Sequence, residues 1–387
     1  MKQILGYLKK EKVMTLSLIL AIISAFFVHP DKGYIEYIDV RTLGLLFCLM
    51  LVVKGFQRIG AFDMLAGMLF AKVRGSRMLI QILVGLCFVS SMFITNDVAL
   101  ITFVPFAILA LQKSNLEKYM ILTVVLQTIA ANLGSMFTPI GNPQNLYLFG
   151  ISDMGIMEFF GITGPITLIS FVLIFAVTMF VKNQPIQISL EETSHNKSTD
   201  AKTPEASQGK MKSQNAMEII AYVLLFVIDL AVVFRLFHWM IAVVVSVISV
   251  FVIKRKELLK QVDYALLITF IGFFVFVGNL GRVPLISDAI QAMITGREIV
   301  VSALFSQFMS NVPAAILLAG FTENIKALII GTNVGGLGTL IASMASLISY
   351  KIYADTPGAK KGRYMLDFTI YNLVGLAILL VLALIIY

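Results

Sequence analysis

The sequence predicts an all-α integral membrane protein, built as an inverted repeat of two halves. Three observations predict this fold. Hydrophobic residues make up 58% of the 387-residue chain and charged residues only 13%, whereas soluble domains carry about 25% charged residues. Apolar runs suited to crossing a bilayer recur along the whole length. Polar breaks interrupt these runs twice, in the same order in each half.

The apolar runs give the predicted crossings. If the third and ninth runs are re-entrant hairpins, which enter and leave the membrane on one side, about nine full crossings remain. The runs are, in order, 13–28, 40–53, 78–111, 119–149, 162–181, 217–234, 239–253, 264–278, 299–321, 325–350 and 365–387.

The positions of the basic residues predict the orientation. Basic residues concentrate on cytoplasmic segments of membrane proteins, and this threading puts the N-terminus in the cytoplasm and the C-terminus outside, in a cytoplasmic (inner or plasma) membrane. The net charge of +8 then reflects topology, so no nucleic-acid partner is expected. Only six of the 30 Lys and Arg residues lie outside the predicted cytoplasmic segments: Lys32, Arg41, Arg235, Arg282, Arg297 and Lys326.

The two halves are joined by a polar segment that predicts a disordered cytoplasmic linker, residues 182–215. The extra crossing 217–234 makes the second half enter in the opposite orientation, so the first hairpin opens from the cytoplasm and the second from outside. Short stretches at 61–73 and 283–294 predict interfacial helices. The first repeat is 1–181, with hairpin 77–112 and broken helix 118–149, and the second is 216–387, with hairpin 297–321 and broken helix 324–350.

The polar breaks predict a binding site at membrane depth. Unpaired backbone groups survive there only when they line a cavity or are buried in protein. Asn side chains and hydroxyls would contact the solute, glycines would let backbone approach it, and Asp97 would carry the coupling charge. The predicted site residues are Thr95, Asn96, Asp97, Asn132, Gly134, Thr138, Gly141, Asn142, Ser310, Asn311, Asn333, Gly335, Gly338 and Thr339.

No cofactor is predicted beyond a coupling ion. Exposed carbonyls with Asn and hydroxyl side chains suit Na⁺, which could bind at the Asn96 and Asn311 tips, whereas a lone carboxylate suits H⁺. No other metal site is indicated. An enzyme is not predicted either, because the three His residues, His29, His195 and His238, form no nucleophile–base or metal-binding pattern.

Two segments resemble known transporters. The run from Ile94 to Pro105, with Asn96-Asp97 at its start, resembles the hairpin of ArsB-type arsenite permeases, and the run from Thr138 to Asn145 resembles a signature of the same group. The chain is therefore identified as similar to the ion-transporter superfamily: ArsB/NhaD-type permeases and their citrate-transporter-like and divalent-anion:sodium symporter relatives. The resemblance implies an elevator-like secondary transporter with scaffold and transport domains, and it is compatible with a homodimer.

The expected function is secondary active transport of a small anion or oxyanion-type solute, arsenite-like or carboxylate, coupled to H⁺ or Na⁺. The alternative is a Na⁺/H⁺ antiporter of the NhaD kind, in which Asp97 is the exchanging carboxylate.

Overall fold

The computed structural model describes residues 11–70, 73–186 and 205–387. The predictions for the N-terminal tail, for most of the linker and for His195 lie outside these residues.

In the described residues every assigned secondary-structure element is a helix, apart from one isolated β-bridge between Gly75 and Pro185. This confirms the all-α prediction. The helices of nine or more residues are numbered in chain order: α1 Lys12–Ala25, α2 Val40–Arg58, α3 Ala61–Phe70, α4 Ser76–Ile94, α5 Asn96–Lys113, α6 Met120–Ser135, α7 Pro143–Ile151, α8 Ile156–Met179, α9 Glu205–Val233, α10 Trp239–Val252, α11 Tyr264–Gly281, α12 Pro284–Ile294, α13 Glu298–Met309, α14 Asn311–Ala319, α15 Ile325–Val334, α16 Met344–Ala354 and α17 Lys361–Ile386.

Several helices are long and apolar enough to cross a membrane. Six described helices meet that condition on their own, namely α2, α4, α5, α8, α11 and α17. The pair α12 and α13 meets it only jointly and is bent by 114°. Three shorter apolar helices, α1, α10 and α15, have 10 to 17 residues. These lengths agree with an integral membrane protein.

The chain reverses direction between α4 and α5. The Gln127 amide nitrogen of α6 donates to the Leu83 carbonyl at 3.2 Å and to the Phe103 carbonyl at 3.3 Å. In a continuous helix those two carbonyls would be about 30 Å apart, so α4 and α5 must run side by side. They form a helical hairpin with its tip at Thr95, and each arm is long enough to cross a membrane by itself.

A second, shorter hairpin is formed by α13 and α14, with arms of 12 and 9 residues. Its open end is closed by the Thr322 hydroxyl, which donates to the Glu298 carboxylate at 3.2 Å. Because Glu298 begins α13 and Thr322 follows α14, this contact again requires a reversal of the chain. The tip is Ser310.

Both ends of the predicted linker fall within the described residues. Helix α9 begins at Glu205, since Glu, Ala, Gln, Lys and Met favour helix, and that helix continues into the apolar run. At the other end, the Ser76 N–H donates to the Gln184 carbonyl and its hydroxyl donates to the Lys182 carbonyl, both at 2.9 Å. Residues 182–186 therefore run along the start of α4.

The helices pack in two groups. Helices α1, α2, α9, α10 and α11 contact one another, while the hairpins and broken helices contact one another around α6. The groups meet where α2 packs against α7 and where α11 packs against α14. Polar contacts also join them: the Gln57 amide donates to the Thr102 hydroxyl at 3.5 Å, and the Arg235 guanidinium donates to the Phe149 carbonyl at 2.9 Å.

Candidate functional site

Both hairpin tips have the same backbone conformation. Thr95 has φ 67° and ψ 149°, and Ser310 has φ 76° and ψ 154°. Residues other than glycine rarely adopt a positive φ, so the surrounding structure must hold each tip in this shape. Two short polar sequences that look alike therefore fold alike.

The residue after each tip is fastened to a break in a neighbouring helix. The Asn96 N–H donates to the Gly141 carbonyl at 3.2 Å, and the Asn311 N–H donates to the Ala342 carbonyl at 2.9 Å. Both acceptors lie in the non-helical stretch just before α7 or α16 begins. Each hairpin thus rests its tip on the middle of a broken helix.

The Asn residues of the two breaks bind each other. The Asn142 amide donates to the Asn333 side-chain oxygen at 2.8 Å, and the Asn333 amide donates to that of Asn145 at 2.6 Å. The Ser343 hydroxyl donates to the Asn132 side-chain oxygen at 2.9 Å. All five side chains are buried. Of the predicted solute contacts, Asn132, Asn142 and Asn333 therefore hold the two breaks together, since buried amides require partners.

These contacts occupy matching positions in the two halves. Asn142 and Ser343 each immediately precede the second segment of a broken helix, and each reaches across to the Asn that precedes the other break. The residues three positions further on contact the same two Asn side chains. Asn145 accepts from the Asn333 amide, and the Ser346 hydroxyl accepts from the Asn132 amide at 3.5 Å. The network joining the halves is thus nearly two-fold.

The hydroxyls of Thr138 and Thr339 are also engaged within the protein. The Thr138 hydroxyl donates to the Met92 carbonyl, and the Thr339 hydroxyl donates to the Gln307 carbonyl at 2.9 Å. Each acceptor lies three residues before a hairpin tip. These two predicted site residues consequently tie each break to the hairpin of its own half.

Two of the predicted glycines allow close contact between helices. A Cβ atom added at Gly134 would lie 2.1 Å from the Phe88 carbonyl oxygen, and one added at Gly335 would lie 2.6 Å from the Ala303 Cα atom. Phe88 and Ala303 each stand seven residues before a tip. The backbone that approaches these glycines is the first arm of a hairpin, where the sequence had suggested a solute.

The other two predicted glycines shape the breaks. A Cβ atom at Gly141 would lie 2.1 Å from the Ser135 carbonyl oxygen, so only glycine fits this tight turn. Gly338 has φ 105°, a left-handed conformation that favours glycine, and the Gln307 side chain fills the space beside it. Both positions depend on contacts within one half.

Asn132 and Gly336 lie between the two hairpin tips and connect them. The Asn96 amide donates to the Asn132 side-chain oxygen at 3.0 Å, and the Asn132 amide donates to the Gly336 carbonyl at 3.5 Å. The Asn311 amide nitrogen also lies beside Gly336, 3.0 Å from where a Cβ atom on that residue would stand. Asn96 and Asn311 therefore flank one small region at the crossing of the broken helices.

A few polar groups at this region are not engaged. Among the described residues, the Thr95 hydroxyl, the Asp97 carboxylate and the Asn311 amide nitrogen have no hydrogen-bond or ionic partner. Asp97 is half-buried, and its backbone N–H donates to the Asn96 side-chain oxygen at 3.0 Å. These groups, rather than the crossing Asn residues, are available to a ligand.

Four helices begin at this region. They are α5, α7, α14 and α16, and their first residues are Asn96, Pro143, Asn311 and Met344. Helix N-termini carry unpaired N–H groups and a partial positive charge, which attract anions. The tips and breaks contain no Lys or Arg, so the positive potential comes from backbone. Asp97, in the first turn of α5, supplies the one formal charge.

Sequence reasoning missed three residues of this arrangement. Ser343 lies within the predicted broken helix 324–350 but four residues beyond its last predicted site residue, Thr339. Gln307 holds the second break, because its amide donates to the Gly335 and Leu337 carbonyls at 2.8 and 2.9 Å; its place three residues before the tip could have marked it. Gln144 is buried within the first turn of α7, and its polarity in an apolar run was the available signal.

Metal-binding groups of the usual kind do not gather here. Within the described ranges, no three His, Cys, Asp or Glu side chains come together in a way that could hold a metal ion. The tips instead offer hydroxyl, amide and carbonyl oxygens, which are ligands for hard cations.

Comparison with known proteins supplies a family match. A family model described as citrate transporter matches residues 4–327. An uncharacterized transporter of Methanocaldococcus jannaschii is 28% identical over 358 residues, which cover 92% of this chain and 92% of that protein. The inner membrane protein YbiR of Escherichia coli is 27% identical over 353 residues, or 90% of this chain and 89% of that protein.

A more limited similarity extends to a plant protein. The silicon efflux transporter LSI3 of Oryza sativa subsp. japonica is 32% identical over 133 residues, which cover 34% of this chain and 27% of that protein.

Proposed function

The chain belongs to the citrate transporter family, and from this premise we propose that it is a secondary active transporter for a small anion or oxyanion-type solute. The family match confirms the resemblance seen in the hairpin and break sequences. It also makes the protein a membrane transporter and not an enzyme. The proposed solute is arsenite-like or a carboxylate, and the proposed coupling ion is H⁺ or Na⁺.

The convergence of two like-shaped hairpin tips carries this proposal. Asn96 and Asn311 flank one region where four helices begin, and helix N-termini favour anions. Because no Lys or Arg lies in the tips or breaks, the region suits a weakly charged solute, or one whose charge a bound cation offsets. The similarity to a silicon efflux transporter is in keeping with an oxyanion-type solute.

Asp97 is the proposed coupling group. Its carboxylate has no partner among the described residues, and Val312 stands at the equivalent place in the second hairpin. Ionisable groups inside the membrane are expensive and are usually retained for function. A carboxylate at the start of α5 could bind H⁺ or, with the oxygens at the Asn96 and Asn311 tips, Na⁺.

We also propose the inverted repeat and the predicted orientation. The matching contacts around Asn142 and Ser343 support the repeat. The long-range ion pairs support the predicted orientation, because both residues of each pair are predicted to lie on the same side of the membrane. The cytoplasmic pairs are Arg58–Glu257 and Arg255–Glu218, and the outer pairs are Arg282–Asp31 and Lys326–Glu158.

An elevator-type mechanism fits the two helix groups. The group around α2 would be the scaffold, where the two subunits of a homodimer would meet, and the group with the hairpins would move. Few polar contacts join the groups among the described residues; the Gln57–Thr102 and Arg235–Phe149 hydrogen bonds are examples. These contacts would break and re-form during movement.

Na⁺/H⁺ exchange is the alternative function. It would use Asp97 as the exchanging carboxylate, and the same lack of a partner favours it. The four helix N-termini favour an anion over a cation as the main solute, so this alternative ranks second.

Transport by the purified protein in lipid vesicles tests the proposal. We expect uptake of at least one of citrate, succinate, arsenite and sulfate, driven by an imposed pH or Na⁺ gradient. Asp97→Asn should abolish or uncouple this uptake, whereas Asp288→Asn, an exposed carboxylate on α12, should not. Gradient-driven proton release on adding Na⁺, without uptake of any of the four solutes, would favour the antiporter instead.

A further inference from the structure

Gln144 is a buried amide without a partner. Its side chain is 1% exposed, and neither its oxygen nor its nitrogen has a hydrogen-bond partner in the part of the chain that the structure describes. An unpaired buried amide lowers stability, and such a group calls for an explanation such as a ligand. Its neighbour Asn145 is fully used, since it contacts the Met136 and Thr138 carbonyls and Asn333.

Gln144 lies next to the region where the tips converge. It is two residues after Asn142, in the first turn of α7, and the helix rises only about 1.5 Å per residue. Residues three apart share a helix face, and Tyr147 on that face lies 5.4 Å, ring to ring, from Phe274 of α11. Helix α11 also contacts α14, which begins at Asn311. The face that carries Gln144 is therefore turned away from Asn145 and its network.

The unused groups near the tips include both acceptors and donors. The acceptors are the Gln144 oxygen and the Asp97 carboxylate, and the donors are the Gln144 and Asn311 amide nitrogens and the Thr95 hydroxyl. A solute with only ionised oxygens can satisfy the donors but leaves the acceptors unpaired. A solute that also carries a hydroxyl can satisfy both kinds.

We propose that Gln144 binds the transported solute and selects solutes that carry a hydroxyl beside their acceptor oxygens. This inference rests on the proposed function and adds the chemistry of the solute to it. Two sources share that chemistry, a hydroxycarboxylate and a protonated oxyacid. The selection arises because a site with buried acceptors discriminates against an analogue that lacks the matching donor.

Ligand-induced thermal stabilisation of the purified protein, measured over a range of concentrations, tests this inference. The paired probes are citrate against tricarballylate, which lacks only the hydroxyl, and malate against succinate; arsenite, largely the neutral As(OH)₃ at pH 7, represents the oxyacids. The wild type should bind at least one hydroxylated probe. If that probe is citrate or malate, it should bind about tenfold or more tighter than the paired analogue that lacks the hydroxyl. For an arsenite-selective protein, Gln144→Leu should weaken arsenite binding about tenfold or more.

Two variants separate binding from folding. Gln144→Leu should melt at or above the wild-type temperature, because an unpaired amide is removed, and should bind the two members of a pair within about threefold. Gln127→Leu, which removes the donor to the Leu83 and Phe103 carbonyls, should melt lower and keep the wild-type preference.

Each outcome decides the matter. If the wild type binds none of the five probes, the inference fails. If it also takes up none of citrate, succinate, arsenite and sulfate in vesicles, the proposed solute class fails with it. If the wild type binds a probe and Gln144→Leu keeps the same affinity and preference, the inference alone fails. If Gln144→Leu and the more flexible Gln144→Met both fail to fold, Gln144 is a structural residue and the inference is wrong.

Discussion

Replacement of Gly134 by alanine should destabilise the protein, because α4 packs directly on this glycine. The added Cβ atom would lie 2.1 Å from the Phe88 carbonyl oxygen and 2.7 Å from the Ser91 hydroxyl oxygen. Carbon–oxygen contacts are rarely shorter than about 3 Å, so α4 would have to move by roughly 1 Å. The nearest obstacle is backbone, and it has no flexible end that could turn aside.

The expected magnitude comes from two opposing effects. Overpacking of a well-packed interior costs about 1–3 kcal/mol, and a contact with backbone belongs at the upper end. Alanine in a helix is favoured over glycine by about 1 kcal/mol. We therefore expect Gly134→Ala to lower the free energy of unfolding by about 1–2 kcal/mol and to lower the apparent Tm in detergent.

Gly161 provides the matched control. It also lies inside a helix, α8, but a Cβ atom there would meet nothing within 4 Å. Gly161→Ala should leave stability unchanged or raise it by up to about 1 kcal/mol. The two variants are compared by heating the purified proteins and measuring, by size-exclusion chromatography, how much of the monodisperse peak is lost at each temperature. Equal or increased stability of Gly134→Ala would refute the close packing of α4 on α6.

Three further predictions follow from the contacts described above. Asn333→Ala should lower the apparent Tm, by about 1–3 kcal/mol in stability, because the buried Asn142 amide loses its acceptor; an unchanged Tm would contradict the role of this bond in joining the breaks. Asp97→Asn should keep the wild-type Tm and monodispersity while solute uptake no longer responds to the pH or Na⁺ gradient; a retained response would exclude Asp97 as the coupling group. The Arg282 side chain lowers the pKa of Asp31, so the stabilising effect of this carboxylate is present above its ordinary pKa and is lost as the pH falls through the lowered value; melting curves of Asp31→Asn should therefore depend less on pH in the acid range, and an identical acid dependence would contradict the pairing.

The prediction of the hairpins and the breaks rested on features that are local in the sequence. Thr95 and Ser310 interrupt apolar runs, and polar groups at membrane depth require a special arrangement. The predicted hairpin 77–112 compares with Ser76–Lys113 in the structure, and 297–321 compares with Glu298–Ala319. The predicted interfacial stretches also depended on local pattern: α3 begins at the predicted residue, Ala61, and α12 begins at Pro284, one residue after the predicted start.

The partners of the polar side chains could not be predicted, because they depend on how the two halves come together. Asn142 and Asn333 are 191 residues apart and hydrogen-bonded; nothing near either residue in the chain indicates this contact. Gly134 looked like a place for a ligand, yet it accommodates α4. The role of Gln144 could not be predicted either, because a lack of hydrogen-bond partners can be seen only in the folded structure.

A structure determined with a transported solute bound tests the central claim most directly. The solute should be one that the vesicle assay identifies, and its density should lie between the Asn96 and Asn311 tips, within hydrogen-bonding distance of the Thr95 hydroxyl or the Asn311 amide. Density only at a peripheral cavity, such as the one of about 520 Å³ lined by Arg74 and Arg77, with nothing between the tips, would contradict the account.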